Sequence, residues 1–147
     1  MAIKVMVAKA HQGQLTDPDI KKEYESVYKA INNVHIDYQE DTVNFVFLKG
    51  IYNHKERKMV TACLFVNKMD KPLKELHGDL NMKFNNKNAL IAKATLDFDE
   101  SFMGKLPADN GLLVHLNIPV KGLKQDEEFT IEDISGSFDG VKVTYDE

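Results

Sequence analysis

Two neighbouring stretches alternate so strictly that they leave little choice of local structure. Leu76, Gly78, Leu80, Met82 and Phe84 fall on one parity, and His77, Asp79, Asn81 and Lys83 fall on the other. After the tetrapeptide NNKN the pattern resumes, with Leu90, Ala92, Ala94, Leu96 and Phe98 opposed to Lys93, Thr95, Asp97 and Asp99. A period of two is the period of a β-strand, whose successive side chains point to opposite faces. One apolar face and one wet face per strand describe an antiparallel sheet packed on one side. The asparagines of NNKN suit the left-handed backbone of a tight hairpin.

The flanking segments extend the same reading. Val43–Tyr52 and Lys58–Asn67 are apolar on both parities in their middles, which predicts central strands covered on both faces. Leu112, Val114, Leu116 and Ile118 alternate up to Pro119, and Phe129–Ser135 reads as a further strand. GSFDG, with its Asp139–Gly140 pair, is expected to turn the chain into a last strand through Val141, Val143 and Tyr145. Ile3, Val5 and Val7 give a weak first strand. Between them lies one helix signal: Asp17 as N-cap, Pro18 in the first turn, and an apolar face of Ile20, Tyr24, Val27, Tyr28 and Ile31. Lys21, Lys22, Glu25 and Lys29 fall outside that face. The expected fold is therefore mainly β: an immunoglobulin-like antiparallel β-sandwich of about seven or eight strands with one N-terminal amphipathic helix. Its 147 residues fit a single domain, with 1–35 a strand-plus-helix extension and 36–147 the sandwich.

Composition narrows the function. Hydrophobic residues make up 43% and charged residues 29%, the balance of a globular chain. The net charge of −4, with no basic stripe, disfavours nucleic acid as a partner. No apolar run is long enough to span a membrane, and no secretory leader is visible, so a cytoplasmic location, or a trimmed form, is expected. The single cysteine, Cys63, sits in the apolar run VTACLFV and reads as a small buried hydrophobe.

The search for chemistry returns little. The histidines at 11, 35, 54, 77 and 115 lack metal spacing; His77 and His115 lie on polar strand faces and could converge in space, but solvated side chains are expected there rather than ligands. Asp97 and Asp99 share a strand parity, which leaves their carboxylates room to lie near one another, but the expected reading is a solvated edge. Phosphate-cradling glycine loops and a nucleophile elbow are absent. No residue is assigned a catalytic, cofactor-binding or metal-binding role, and no cofactor is expected. Asn67 and Asp70, in the stretch VNKMDKPL, are expected to hydrogen-bond local backbone at a strand exit.

That stretch also carries a resemblance. The strand pair DTVNFVFLKGIYNHKERKMVTACLFVNKMDKPL ends in Phe65, Val66 and Asn67, then a bend, then Lys71–Pro72. LHGDLNMKFNNKNALIAKATLDF follows, with an Ile91–Ala92 step, and then LPADNGLLVHLNIP. In this order the segments resemble the SLAP domain of Gram-positive bacteria, named for S-layer assembly proteins of the accessory secretion system. They are also similar, more broadly, to immunoglobulin-like bacterial accessory domains. The resemblance covers about two thirds of the chain, which has no tryptophan to match the family's tryptophan positions. It implies a non-enzymatic interaction domain serving export or assembly of bacterial surface proteins. A protein partner is expected, with self-association an open alternative. The competing reading is a small-molecule or lipid-binding α+β protein, with Tyr24, Tyr28, Phe45, Phe47 and Phe65 lining a pocket between helix and sheet.

Overall fold

The computed structural model describes residues 4–7, 22, 25, 29 and 38–145. Its strands are β1 (Lys4–Val7), β2 (Val43–Asn53), β3 (Lys58–Asn67), β4 (Leu73–Phe84), β5 (Leu90–Ile91), β6 (Ala94–Phe98), β7 (Asn110–Lys121), β8 (Glu127–Thr130) and β9 (Ile134–Tyr145). Lys22, Glu25 and Lys29 are helical and exposed, which matches the polar face read from the sequence. The apolar face of that helix lies outside the described residues.

The strands form one continuous hydrogen-bonded sheet that folds over itself into two facing layers. The first layer runs β1-β7-β3-β2-β8, antiparallel except for the parallel pair β1–β7. The second has β4 at its centre, with β9 along one edge and β6 along the other. Short β5 joins the layers by pairing with both Lys83 of β4 and the end of β7. The neighbours β2-β3-β7 and β4-β9, and the crossings β3 to β4 and β6 to β7, give a mainly-β, sandwich-like arrangement.

Alternation puts Phe47, Met59, Phe65, Leu76, Leu80, Leu96, Phe98, Leu112 and Val114 between the layers, all buried. The Phe65 ring is central, with centroids 5.5 Å from Phe45, 5.7 Å from Phe98 and 5.1 Å from Phe138. The opposite parity of the first layer is apolar as well. Val5, Val46, Ala62, Leu64, Val66 and Leu113 form a second buried cluster on its outer face. The double-parity run in β3 is thus a central strand buried on both faces, as its pattern predicts, whereas the matching run of β2 is buried or half-buried on both faces but pairs only with β3 over Val43–Phe47 among the described residues.

Three elements depart from the sequence reading. Residues 90–98 are not one strand but two, because Ala92 donates its N–H to Pro119 instead of continuing along β4. Phe129–Ser135 is also divided: Asp133 accepts from the N–H and hydroxyl of Thr130 and turns the chain between β8 and β9. Asp139–Gly140 does not turn the chain at all. It lies inside β9, where the pairing jumps from Asp79↔Asp139 to His77↔Lys142 and Gly140 takes φ +61°. A glycine in the left-handed region is what a bulge of this kind requires, and the same chemistry in a sequence imitates a turn.

Candidate functional site

VNKMDKPL is a corner that holds three strand ends together. Asn67 is fully buried. Its Nδ2 donates to the carbonyls of Lys71 and Leu106, each at 3.0 Å, and its Oδ1 accepts from the Met69 N–H at 2.9 Å. Its own carbonyl accepts from the Asp109 N–H at 2.8 Å. The next residue, Lys68, exchanges backbone bonds with Asp41 and Thr42 at the start of β2. Its ammonium lies 2.7 Å from Asp109 and 3.7 Å from Glu40, over the Tyr38 ring. The bond to the Asp109 carboxylate raises the Lys68 pKa above the usual lysine value. Asn67 therefore meets the sequence expectation and exceeds it, since Leu106 lies far along the chain. Asp70 does not follow: it is exposed, and no hydrogen bond to it is found among the described residues. The polar groups of Asn67 and Lys68 are satisfied by other strand ends, so the corner positions strands.

The other sequence candidates take separate structural roles. His77 lies on the outer face of the second layer, its Nδ1 2.8 Å from Asp97 Oδ1. His115 pairs in register with Ala62, on the outer face of the first layer, so the two histidines do not meet. Asp97 stays on β6, whereas Asp99 caps the single helical turn Glu100–Met103 by accepting from the Phe102 N–H. Hydrogen bonds from Ser101 and Phe102 hold the Asp99 carboxyl below its ordinary pKa. Cys63 is buried and donates to Thr61 Oγ1 at 3.3 Å, and burial pushes its pKa up to about 12. A thiol held protonated in this way is a poor nucleophile. Phe45, Phe47 and Phe65 pack on the interior cluster between the layers, and Tyr24 and Tyr28 lie outside the described residues. Among the described residues no three His, Cys, Asp or Glu side chains gather as a metal site, and no helix is long and apolar enough to cross a membrane.

Two features remain open. The first is the free side of β9. Its inner edge pairs with β4 from Leu73 to Phe84, and among the described residues nothing pairs with its outer edge. The inward-facing side chains Phe138, Val141, Val143 and Tyr145 touch the core yet are only partly buried. Gly136 lies so close to the Phe45 ring of β2 that a Cβ there would overlap it. The free edges of both layers therefore share one side, because β8 covers only Lys49–Tyr52 of β2, and the side of Val43–Leu48 away from β3 has no paired strand among the described residues.

The second feature is a cleft of about 500 Å³ at the end of the sandwich where β2 turns into β3. Tyr52, His54, Arg57, Lys58 and Lys121 are among its lining residues. The hairpin forming its wall is well tied. Asn53 Oδ1 accepts from the N–H groups of Lys55 and Glu56, His54 donates its N–H to Asp126 at 2.7 Å, and the Arg57 carbonyl accepts from Val120 at 3.0 Å. Sequence patterns gave no warning of this cleft. The available signal is that Arg57 is the one arginine among 19 basic residues.

Comparison with protein-family models, with curated proteins and with solved structures finds no match to this chain.

Proposed function

We propose that this protein is a non-enzymatic interaction domain that takes an extended segment of a partner protein along the free edge of β9. The observation behind this is a 12-residue strand paired on one side only among the described residues, with a half-buried apolar row beneath its open edge. Such an edge presents backbone donors and acceptors to an incoming strand, while the half-buried apolar row gives the partner's inward side chains something to cover. The bulge at Gly140 splits the edge into Ile134–Asp139 and Val141–Tyr145. Bulges discourage indiscriminate pairing, so a partner strand must follow the kink. The segment that fits alternates apolar and polar residues, with its apolar set facing Phe138, Val143 and the β2 edge.

The resemblance of the segments around Phe65–Asn67 and Ile91–Ala92 to the SLAP domain supports a role beside export or assembly of Gram-positive surface proteins. Affinity capture from a Gram-positive lysate tests both parts. Wild type and Val141→Lys serve as baits, the variant placing a charge on the inner side of the open edge. Recovery of an envelope or secretion protein by wild type, and its loss with Val141→Lys of unchanged circular dichroism, is the expected result. Equal recovery by both baits overturns the edge as the binding surface, and recovery of no envelope or secretion protein overturns the accessory role.

A further inference from the structure

The loop-end cleft lies apart from the β9 edge and carries its own chemistry. Arg57, Lys58 and Lys121 bring fixed positive charge to it, and His54 and the Tyr52 hydroxyl lie 3.1 Å apart within it. Glu56 is the acid among its lining residues. This concentration of cations stands on a protein whose net charge is −4. Low-dielectric walls focus such a field and raise the local concentration of an anion.

The choice of arginine is informative. Everywhere else the chain meets its need for positive charge with lysine. Arginine differs in presenting a planar fork of donors that matches the two oxygens of a carboxylate or phosphate. Arg57 occupies a left-handed backbone position, φ +55°, at the tip of the hairpin. No hydrogen bond or ion pair to its guanidinium is found among the described residues. The backbone around it is fixed by the Asn53, Asp126 and Val120 bonds, so the cleft wall is ordered before anything binds. A preorganised wall lowers the ordering cost of binding.

We propose that this cleft is a binding site for a small oxyanion group, a carboxylate or a phosphate, clamped by Arg57 with Lys58 and Lys121 supplying field. Tyr52 and His54 form the floor, where the ring of fully buried Tyr52 packs on the core and its hydroxyl reaches the imidazole. The proposal does not depend on strand addition at β9, which lies on a different surface and uses no cationic residue of the cleft.

The test is a titration followed by amide chemical shifts, with inorganic phosphate in one arm, succinate in a second and sodium chloride of matched ionic strength as control. Saturable shifts confined to Tyr52–Lys58 and Pro119–Leu123 in either anion arm, absent with chloride, support the site. The tighter arm identifies whether the group is a phosphate or a carboxylate. Arg57→Gln is expected to weaken that binding about tenfold or more, and Arg57→Lys, which keeps charge but loses the fork, by about threefold or more. Arg57 is exposed, so both variants are expected to keep wild-type spectra elsewhere. Linear shifts without saturation in both arms overturn the proposal, as does binding unchanged in Arg57→Gln.

Discussion

Asn67 Nδ2 donates to the Leu106 carbonyl oxygen at 3.0 Å, joining two segments far apart in the chain at a fully buried position. The same amide also holds Lys71 and Met69, so one side chain satisfies three backbone groups. Leu106 in turn exchanges backbone bonds with Leu73 at the start of β4. At the corner through which the chain passes from the first layer to the second, Asn67 thus adds three side-chain bonds to the backbone ties of Leu73, Leu106 and Lys68.

Asn67→Ala is expected to destabilise the fold by about 2–4 kcal/mol, because buried carbonyl and N–H groups lose their partner and cannot reach water. Asn67→Asp is expected to be at least as damaging, since a carboxylate cannot donate to the two carbonyls. Urea unfolding measures both. A loss below about 0.5 kcal/mol for Asn67→Ala would show that the corner does not depend on it.

Two glycines of β9 are expected to fail for different reasons. Gly136→Ala drives a methyl into the Phe45 ring, an overpacking cost of about 1–3 kcal/mol. Gly140→Ala meets nothing within 4 Å but must hold φ +61°, at about 1–2 kcal/mol. Adding Phe45→Leu is expected to recover part of the first loss and none of the second. A double-mutant cycle on thermal or urea unfolding measures the difference, and equal rescue of both would contradict the assigned causes.

Cys63 links stability to high pH. Its pKa is raised from 9.0 to about 12 by burial, so the native state keeps a proton that the unfolded chain gives up. The unfolded state then binds fewer protons above pH 9, and stability falls as pH rises from there towards the folded value, by up to about 1.4 kcal/mol per unit from this group. Below pH 9 the group contributes no slope. Lys68 and Tyr38 titrate in the same region, so the comparison is with Cys63→Ala, whose stability is expected to fall less steeply above pH 9. Parallel curves for the two proteins would contradict the assignment. In native protein, thiol-reactive reagents are expected to label Cys63 only after unfolding.

The sequence shows the strands well where one residue's neighbours decide the outcome. Alternation in Leu76–Phe84 and the double-parity run Met59–Val66 reflect burial on one or two faces, and both are local patterns. It shows less where pairing across the sheet decides. The break at Ala92 follows from a bond to Pro119, and the bulge at Gly140 follows from register against β4, so neither leaves a mark distinct from a turn. Asn67 was legible as a strand exit, yet its tie to Leu106 is a product of the folded chain. For His77 and His115, polar parity indicated an outward-facing position, but it says nothing about which layer each strand joins. The β9 edge and the Arg57 cleft are both defined by strand order and loop placement, which no single segment encodes.

Hydrogen exchange on the complex with the captured partner tests the central claim most directly. The expected result is new protection of backbone amides in Ser137–Tyr145 of β9, extending to Val43–Leu48 of β2, with the outer face of β4 and β6 unchanged. Protection confined to the loop ends or to the His77–Asp97 face, with β9 exchanging as in the free protein, would contradict strand addition at this edge.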